Sequence, residues 1–553
     1  MSKQIKYGQD ARMALKKGID KVANAVKVTI GPRGKNVILE KSYGGPTITN
    51  DGVTIAKDIS LSDKFENMGA EIMKEVASKT NDTAGDGTTT SIIIARALIE
   101  EGMKKITMGI NALGIKAGID RATEEAVKEL KAIARPVSEK EEIRQVATIA
   151  AESEEIGKII ADTISKVGKD GVITVEESQS FGIESEVVEG MEFDQGYVSP
   201  YMITNVERME AEFRDSAILL TDKKISSVKE ILPLLEKMAE TGKKELVIIA
   251  EEIEGEALAT FVVNKLRGAF NVLAVKAPGY GERKKEMLED IAATIGAKVV
   301  TEDIGLKLEK AGLDVLGKAN KVIATKDKTV LVGGKGKKAA IEARIEQLKK
   351  QLKLTDSKFD AEKIEERIAK LSGGVAVVKV GASTETEMKY LKLKIEDAVN
   401  ATKAAIEEGV IPGGGSALAK IAQKIGGKKF KSPLEDFEEE FQIGFGLLLK
   451  ALEAPLKQIA VNAGKDDGSV ILDKVKSSKG ACGYDANKDE IVSDMIAAGI
   501  IDPVKVARSG IQNAASSAGI LLTTEVAIAD EPKKESEPSG GVGGGMSEMG
   551  GMM

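Results

Sequence analysis

Asp86-Gly87-Thr88-Thr89-Thr90-Ser91 is the stretch whose residue types and spacing most directly suggest chemistry. It separates two helical patterns and opens onto Ile92-Ile93-Ile94-Ala95. A helix starting there offers unpaired N–H groups and the positive end of its dipole, roughly +0.5 charge, to an anion. The hydroxyls add donors, the small residues let a phosphate approach, and Asp86 supplies hard oxygen for Mg2+ bridging phosphate oxygens. The bland alternative is an Asp/Thr N-cap that only starts a helix. On this stretch alone the two weigh equally.

Two further small-residue turns, Thr29-Ile30-Gly31-Pro32 and Gly413-Gly414-Gly415-Ser416, are weak signals singly, and no Walker A sequence is present. Asp397 follows Ile395-Glu396 in a helical segment among Ala398, Val399, Ala401 and Ala404. A carboxylate in such company can orient an attacking water, although a surface acid is the commoner explanation.

The elements that must position these residues follow from periodicity. Phe65, Met68, Ile72 and Val76 predict an amphipathic helix, with Asp63 and Glu66 as a capping pair. Asn36 to Leu39, Thr47 to Thr49 and Val53 to Ile55 read as short strands, with an Asp51-Gly52 hairpin turn. Short apolar runs at Val172 to Val175, Leu246 to Ile249 and Val272 to Val275 predict a separate α/β domain with a partly parallel sheet. Residues 339 to 371 read as a charged helical hairpin, and Gly373-Gly374 as a turn or hinge before a strand from Val375 to Val380. Ordering the Gly/Met tail, Gly540 to Met553, would cost roughly 15–25 kcal/mol of backbone entropy. Burying its apolar side chains would return only about 8–15 kcal/mol, so disorder is expected there.

Composition removes whole classes of chemistry. The 553 residues contain no histidine and one cysteine, Cys482, which excludes His-based triads, Cys clusters and disulfide frameworks. With 80 Lys plus Arg against 87 Asp plus Glu, no Trp, 7 Tyr and 11 Phe, nucleic acid is a poor partner. No stretch resembles a signal peptide or membrane span, so the expectation is a cytoplasmic protein of several domains.

Val28-Thr29-Ile30-Gly31-Pro32, Asp63-Lys64-Phe65-Glu66-Asn67-Met68-Gly69-Ala70, Ala84-Gly85-Asp86-Gly87-Thr88-Thr89-Thr90, Val188-Glu189-Gly190-Met191 and the Gly/Met tail together resemble the group I, GroEL-type chaperonin family, along essentially the whole chain. The resemblance implies the multidomain α/β chaperonin fold. A predominantly helical equatorial ATPase domain would comprise residues 1–132 and 408–528, an intermediate domain residues 133–187 and 375–407, and an α/β apical domain residues 188–374. Residues 529–553 would form the disordered tail. It further implies ATP, Mg2+ and K+ as cofactors, non-native polypeptides as substrates, two stacked sevenfold rings of this chain and a separate GroES-type co-chaperonin lid.

Carried over by resemblance, Thr29, Ile30, Gly31, Pro32, Asn50, Asp86, Gly87, Thr88, Thr89, Thr90, Gly414, Asp485, Ala486, Asn487, Ile500 and Asp502 would surround ATP. Asp86 would hold Mg2+, Asp397 would position or activate the water, and Asp51 would assist. The chain departs from the family pattern at Asn50, where many relatives have Lys, and at Gln195, where relatives often have an Arg that would pair with an acid at the position of Glu385 on a neighbouring subunit.

Two helix candidates carry apolar arcs wider than the roughly 100° needed to face a core. In one, Ile231, Leu234 and Met238 adjoin a second stripe of Val228, Leu232, Leu235 and Ala239; in the other lie Leu258, Phe261, Val262, Val263 and Leu266. Deep burial explains such arcs equally well. By resemblance, Tyr197, Tyr201, Met202, Leu232, Leu235, Leu258, Val262 and Val263 would instead bind substrate. The competing functions are a small-molecule phosphotransferase, for which the sequence offers no second constellation, and a ring-forming scaffold without turnover.

Overall fold

The computed structural model describes residues 2–531 except 41–45, 152, 170, 179, 207, 302–306, 356 and 435. The Gly/Met tail therefore lies outside the described residues.

The largest apolar core joins the two ends of the chain. Helices Gly8–Val26, Lys64–Ala84, Thr88–Thr107 and Ala112–Ile133 pack with Ser416–Gly426, Glu438–Leu452 and Val504–Leu522 around Ile19, Met73, Leu98, Ile119, Phe441 and Ile511. Strands Lys3–Tyr7 and Val526–Asp530 pair antiparallel beside it. Asp63 starts the Lys64 helix as expected, accepting from the N–H groups of Phe65 and Glu66. Glu66 does not complete a reciprocal pair, because its carboxylate takes Lys21 Nζ at 2.5 Å.

A second core sits on a sheet ordered Asn271–Lys276, Glu245–Ala250, Ala211–Thr221, Gly317–Ala324, Thr329–Gly334 and Gly190–Phe193, with Val299–Val300 also pairing the third of these. The first three strands and Val299–Val300 pair parallel and the other pairings are antiparallel, so the sheet is partly parallel as its apolar runs predict. Helices Leu232–Glu240, Gly255–Leu266 and Glu282–Ile295 share its core.

The run at Val172 departs from expectation. Strand Val172–Glu177 joins a separate three-stranded sheet with Val375–Gly381 and Gly182–Val188. Helices Lys140–Ala151, Glu154–Val167 and Glu385–Glu408 share apolar contacts with that sheet in a third core. An apolar run declares burial but not its partner.

The Asp51-Gly52 hairpin also fails. Strands Val37–Leu39 and Thr47–Thr49 do pair, but Val53 to Ile55 belong to helix Gly52–Asp58. Asp51 is its N-cap, accepting from Val53 and Thr54 N–H at 3.2 and 3.0 Å. Local capping outweighed the β-branched residues' preference for strand. The predicted hairpin forms as helices Lys338–Leu354 and Lys358–Gly373.

Candidate functional site

The turns that are weak singly converge at the start of helix Thr88–Thr107. Its N-cap is Gly87, with no side-chain cap hydrogen bond. Asp86 accepts Gly87 N–H at 2.5 Å. The simple Asp/Thr cap is therefore not what the residues build: the N–H groups of Thr88, Thr89 and Thr90, at the first turn, lack intrahelical acceptors. Gly87 has φ of +79°, and a Cβ there would lie 2.4 Å from Val506 Cγ1. Backbone geometry and packing both demand glycine.

Three other segments meet this helix start. Thr29 Oγ1 lies 3.2 Å from Thr89 Oγ1, and its own turn is held by Asn462 Nδ2, which donates to Lys27 and Ile30 carbonyls at 3.0 and 2.9 Å. Gly52 approaches so closely that a Cβ would sit 2.5 Å from Thr89 Oγ1 and 2.7 Å from Thr88 Oγ1. This brings Asp51 to the site. Strand Ile501–Pro503 pairs with Val410–Pro412, placing Asp502 beside Gly414 and Gly415, whose N–H groups its carboxylate accepts. Ile500 accepts Gly413 N–H at 2.9 Å.

The Asp485 turn closes the apolar side. Asp485 accepts from Asn487 and Lys488 N–H, and Arg33 donates to the Asn487 carbonyl at 2.7 Å, tying this turn to the one containing Pro32. Ala486 packs in one cluster with Ile30, Ile93, Leu456 and Ile459. Asn50 is exposed, beside Asp51. Asn462, Arg33 and Gly52 escape sequence reasoning; only the small residue after Asp51 signals a close approach, and a turn explains it equally well.

Asp397, on helix Glu385–Glu408, completes a group of mutually repelling acids. Burial, then Asp51 and Asp86, then Glu396 push its carboxyl well above the usual range, against a weaker pull from Arg208. Burial and Asp51 raise Asp86, while its bond from Gly87 lowers it. Burial and Asp86 push Asp502 up to about 7, against the two glycine N–H groups. Each keeps some surface open to the cleft while protein encloses it at longer range. Among the described residues no three acids are placed to chelate a metal unaided. A cation held there must draw further oxygen ligands from a bound anion or water, as Mg2+ ordinarily does.

Asp502 makes the cost measurable. Its raised pKa means the folded chain holds a proton that the unfolded chain has released, so its contribution to stability falls as pH rises from 3.8 towards 7. Asp502→Asn, which keeps an acceptor for the glycine N–H groups, is expected to raise the ligand-free thermal midpoint at pH 8 by a few degrees and not at pH 4. Equal effects at both values would mean that charge is irrelevant there.

The surface predicted to bind substrate divides in two. Ile231, Leu234, Met238 and Phe261 are core, while Leu232 and Val263 are 42% and 43% exposed, and Leu235, Leu258 and Val262 are half-buried. Both arcs therefore exceed what the core covers. Tyr201 is 68% exposed, but Tyr197 and Met202 correct the expectation. Met202 is fully buried, its sulfur accepting Ala274 N–H, and Tyr197 bridges Val275 from within the core. Leu266 and Val206, outside the predicted set, are exposed instead. Glu385 takes Lys389 Nζ of its own helix at 2.6 Å.

Small-residue turns from both chain ends meeting at one helix start, with an exposed apolar surface on a separate core, describe most of the chain at once. So does the model of the TCP-1/cpn60 chaperonin family, which matches residues 22–532, and the chain belongs to that family.

Proposed function

We propose that this protein-folding chaperone is a GroEL-type ATPase, which captures non-native polypeptides on the apolar helix surface and releases them into a ring cavity closed by a co-chaperonin lid. The observation that carries the reading is the convergence of the Thr29, Asp51, Asp86, Gly414 and Asp502 segments on the unpaired N–H groups of the Thr88 helix.

In this reading Thr88, Thr89 and Thr90 bind phosphate oxygens through N–H and hydroxyl donors, and the Gly31, Gly87 and Gly414 turns let the chain approach them. Ile30 and Ala486 line the apolar side, with Asp502 and the Asn487 turn at its polar edge. Asp86 would hold Mg2+, whose contribution is to neutralise phosphate charge. Asp397 accepts the proton of the attacking water, and Asp51 fixes the helix start beneath it. Domain boundaries follow the three cores: an equatorial domain from the two ends, an intermediate pair of segments and an apical domain. No helix among the described residues is long and apolar enough to cross a membrane.

The test is ATP hydrolysis by the assembled protein beside lid-dependent refolding of an aggregation-prone client. Hydrolysis with lid-dependent refolding supports the reading; client capture without hydrolysis favours a scaffold. For the capture surface, Leu232→Ser and Val263→Ser should each weaken binding of an unfolded chain by about tenfold, the value of one half-buried aliphatic side chain. Both side chains are already exposed, so hydrolysis without client should remain at the parent level. Parallel loss of assembly and ATPase would show that they serve assembly rather than capture.

A further inference from the structure

We propose that Arg208 is a positioning residue for Asp397, acting through Glu396 across the seam between the body bearing the apolar surface and the body bearing the acid. The inference rests on the reading of Asp397 as the acid that handles water.

Arg208 stands in a tight turn before strand Ala211–Thr221. Asn205 and Glu210 exchange backbone hydrogen bonds at 2.9 and 3.1 Å, and Asn205 Oδ1 accepts Arg208 N–H at 3.1 Å. Lys265, from helix Gly255–Leu266, donates to the Ile203 carbonyl at 3.0 Å, so the turn is braced against the capture surface. From there the guanidinium reaches across to pair with Glu396, the residue preceding Asp397. Both partners are largely covered, with side chains 32% and 22% exposed.

The pair has a neighbour across the same seam. Lys321, paired with Glu212 of its own sheet at 3.4 Å, reaches across to Glu176 at 3.1 Å. Lys392, one helical turn before Glu396, donates to Glu177 at 3.2 Å within the body bearing the acid. Of the two cross-seam cations, Arg208 is the one that grips the turn of helix holding Asp397. Released from Arg208, Glu396 is an unneutralised neighbour of Asp397, and the turn loses its anchor. Movement of the capture surface that breaks the pair would thus alter the acid on which hydrolysis depends.

The groups facing Asp397 are Asp51 at the start of helix Gly52–Asp58, Asp86 before the Thr88 helix, Glu396 on its own helix, and Arg208. Arg208→Gln removes the cation of this chain that holds the Asp397 carboxyl down, so the acidic limb of the kcat profile should move to higher pH. Glu396→Gln removes an anion and leaves the cation, so the limb should move to lower pH. A merely structural seam would move both the same way.

The experiment is steady-state ATP hydrolysis by assembled parent, Arg208→Gln, Arg208→Lys, Glu396→Gln and Asp397→Ala across pH. Expected results are a roughly tenfold fall in kcat for Arg208→Gln with KM unchanged, recovery in Arg208→Lys, and the opposed limb shifts. Parent-like kcat and pH profile in Arg208→Gln, with Asp397→Ala inactive, would overturn the role of Arg208 while leaving the ATPase reading intact. Shifts in the same direction would also overturn it. A parent without hydrolysis would overturn both.

Discussion

Asp397→Ala is expected to bind ATP at least as tightly as the parent and to hydrolyse it about 10²–10⁴-fold more slowly, the range associated with a positioned general base. The split follows from the neighbours of Asp397. Asp51, Asp86 and Glu396 already oppose its charge, and a triphosphate adds more negative charge to the same cleft. Removing Asp397 therefore relieves repulsion in the bound state while deleting the acceptor for the water's proton. Asp397→Asn should behave alike, since it keeps the shape without the basicity. Because burial and like charges raise the carboxyl, the parent's single-turnover rate should fall on acidification at a pH above the ordinary carboxylate range. Nucleotide affinity by calorimetry and single-turnover hydrolysis separate the two effects. Turnover within about threefold of the parent would exclude Asp397 from the reaction, because removal of a general base costs far more.

The site is partly legible in the sequence. A helix start with free hydroxyls is a local pattern, and the Thr88 helix begins where its sequence predicts. Asp51 was misread because Asn-Asp-Gly followed by Val-Thr-Ile favours a hairpin by propensity, and only the two bonds to Val53 and Thr54 decide for a helix. Asn462 was invisible for another reason: its role is to hold carbonyls more than four hundred residues away in sequence, and nothing local marks it. The two helices with wide apolar arcs show a third kind of limit. Their wide apolar arcs announced more hydrophobic surface than one core needs, yet could not say which stripe faces out. Tyr197 and Met202, placed outside by resemblance, lie in the second core, Tyr197 bridging Val275 and Met202 taking the Ala274 N–H. The Arg208–Glu396 pair joins positions that no periodicity connects.

The charged helical hairpin supplies the largest expected effect on local stability. Its own apolar contacts are few, centred on Ile341, Leu348, Ile364 and Leu371. What docks it is Asp290, on helix Glu282–Ile295 and only 1% exposed. Asp290 takes Arg344 Nε at 2.7 Å through one oxygen and Arg367 Nε at 2.6 Å through the other. Both arginine side chains are 11% exposed, and both also donate to the Glu286 carbonyl. Asp290→Ala would leave two nearly buried guanidinium groups sharing the Glu286 carbonyl, Arg367 keeping the Glu286 side chain and Arg344 the more exposed Glu289, at a cost of about 3–5 kcal/mol. In a chain with several cores this need not appear as a single unfolding midpoint. The sensitive measurement is amide hydrogen exchange over residues 338 to 373, which should accelerate roughly a hundredfold or more as the hairpin undocks. Replacing all three charges with apolar residues, Asp290→Leu with Arg344→Met and Arg367→Met, should restore much of the protection, since an absent ion network costs less than a broken one. Unchanged exchange in Asp290→Ala would mean that the remaining contacts, among them Arg283–Asp360 and Arg344–Glu289, hold the hairpin in place without Asp290.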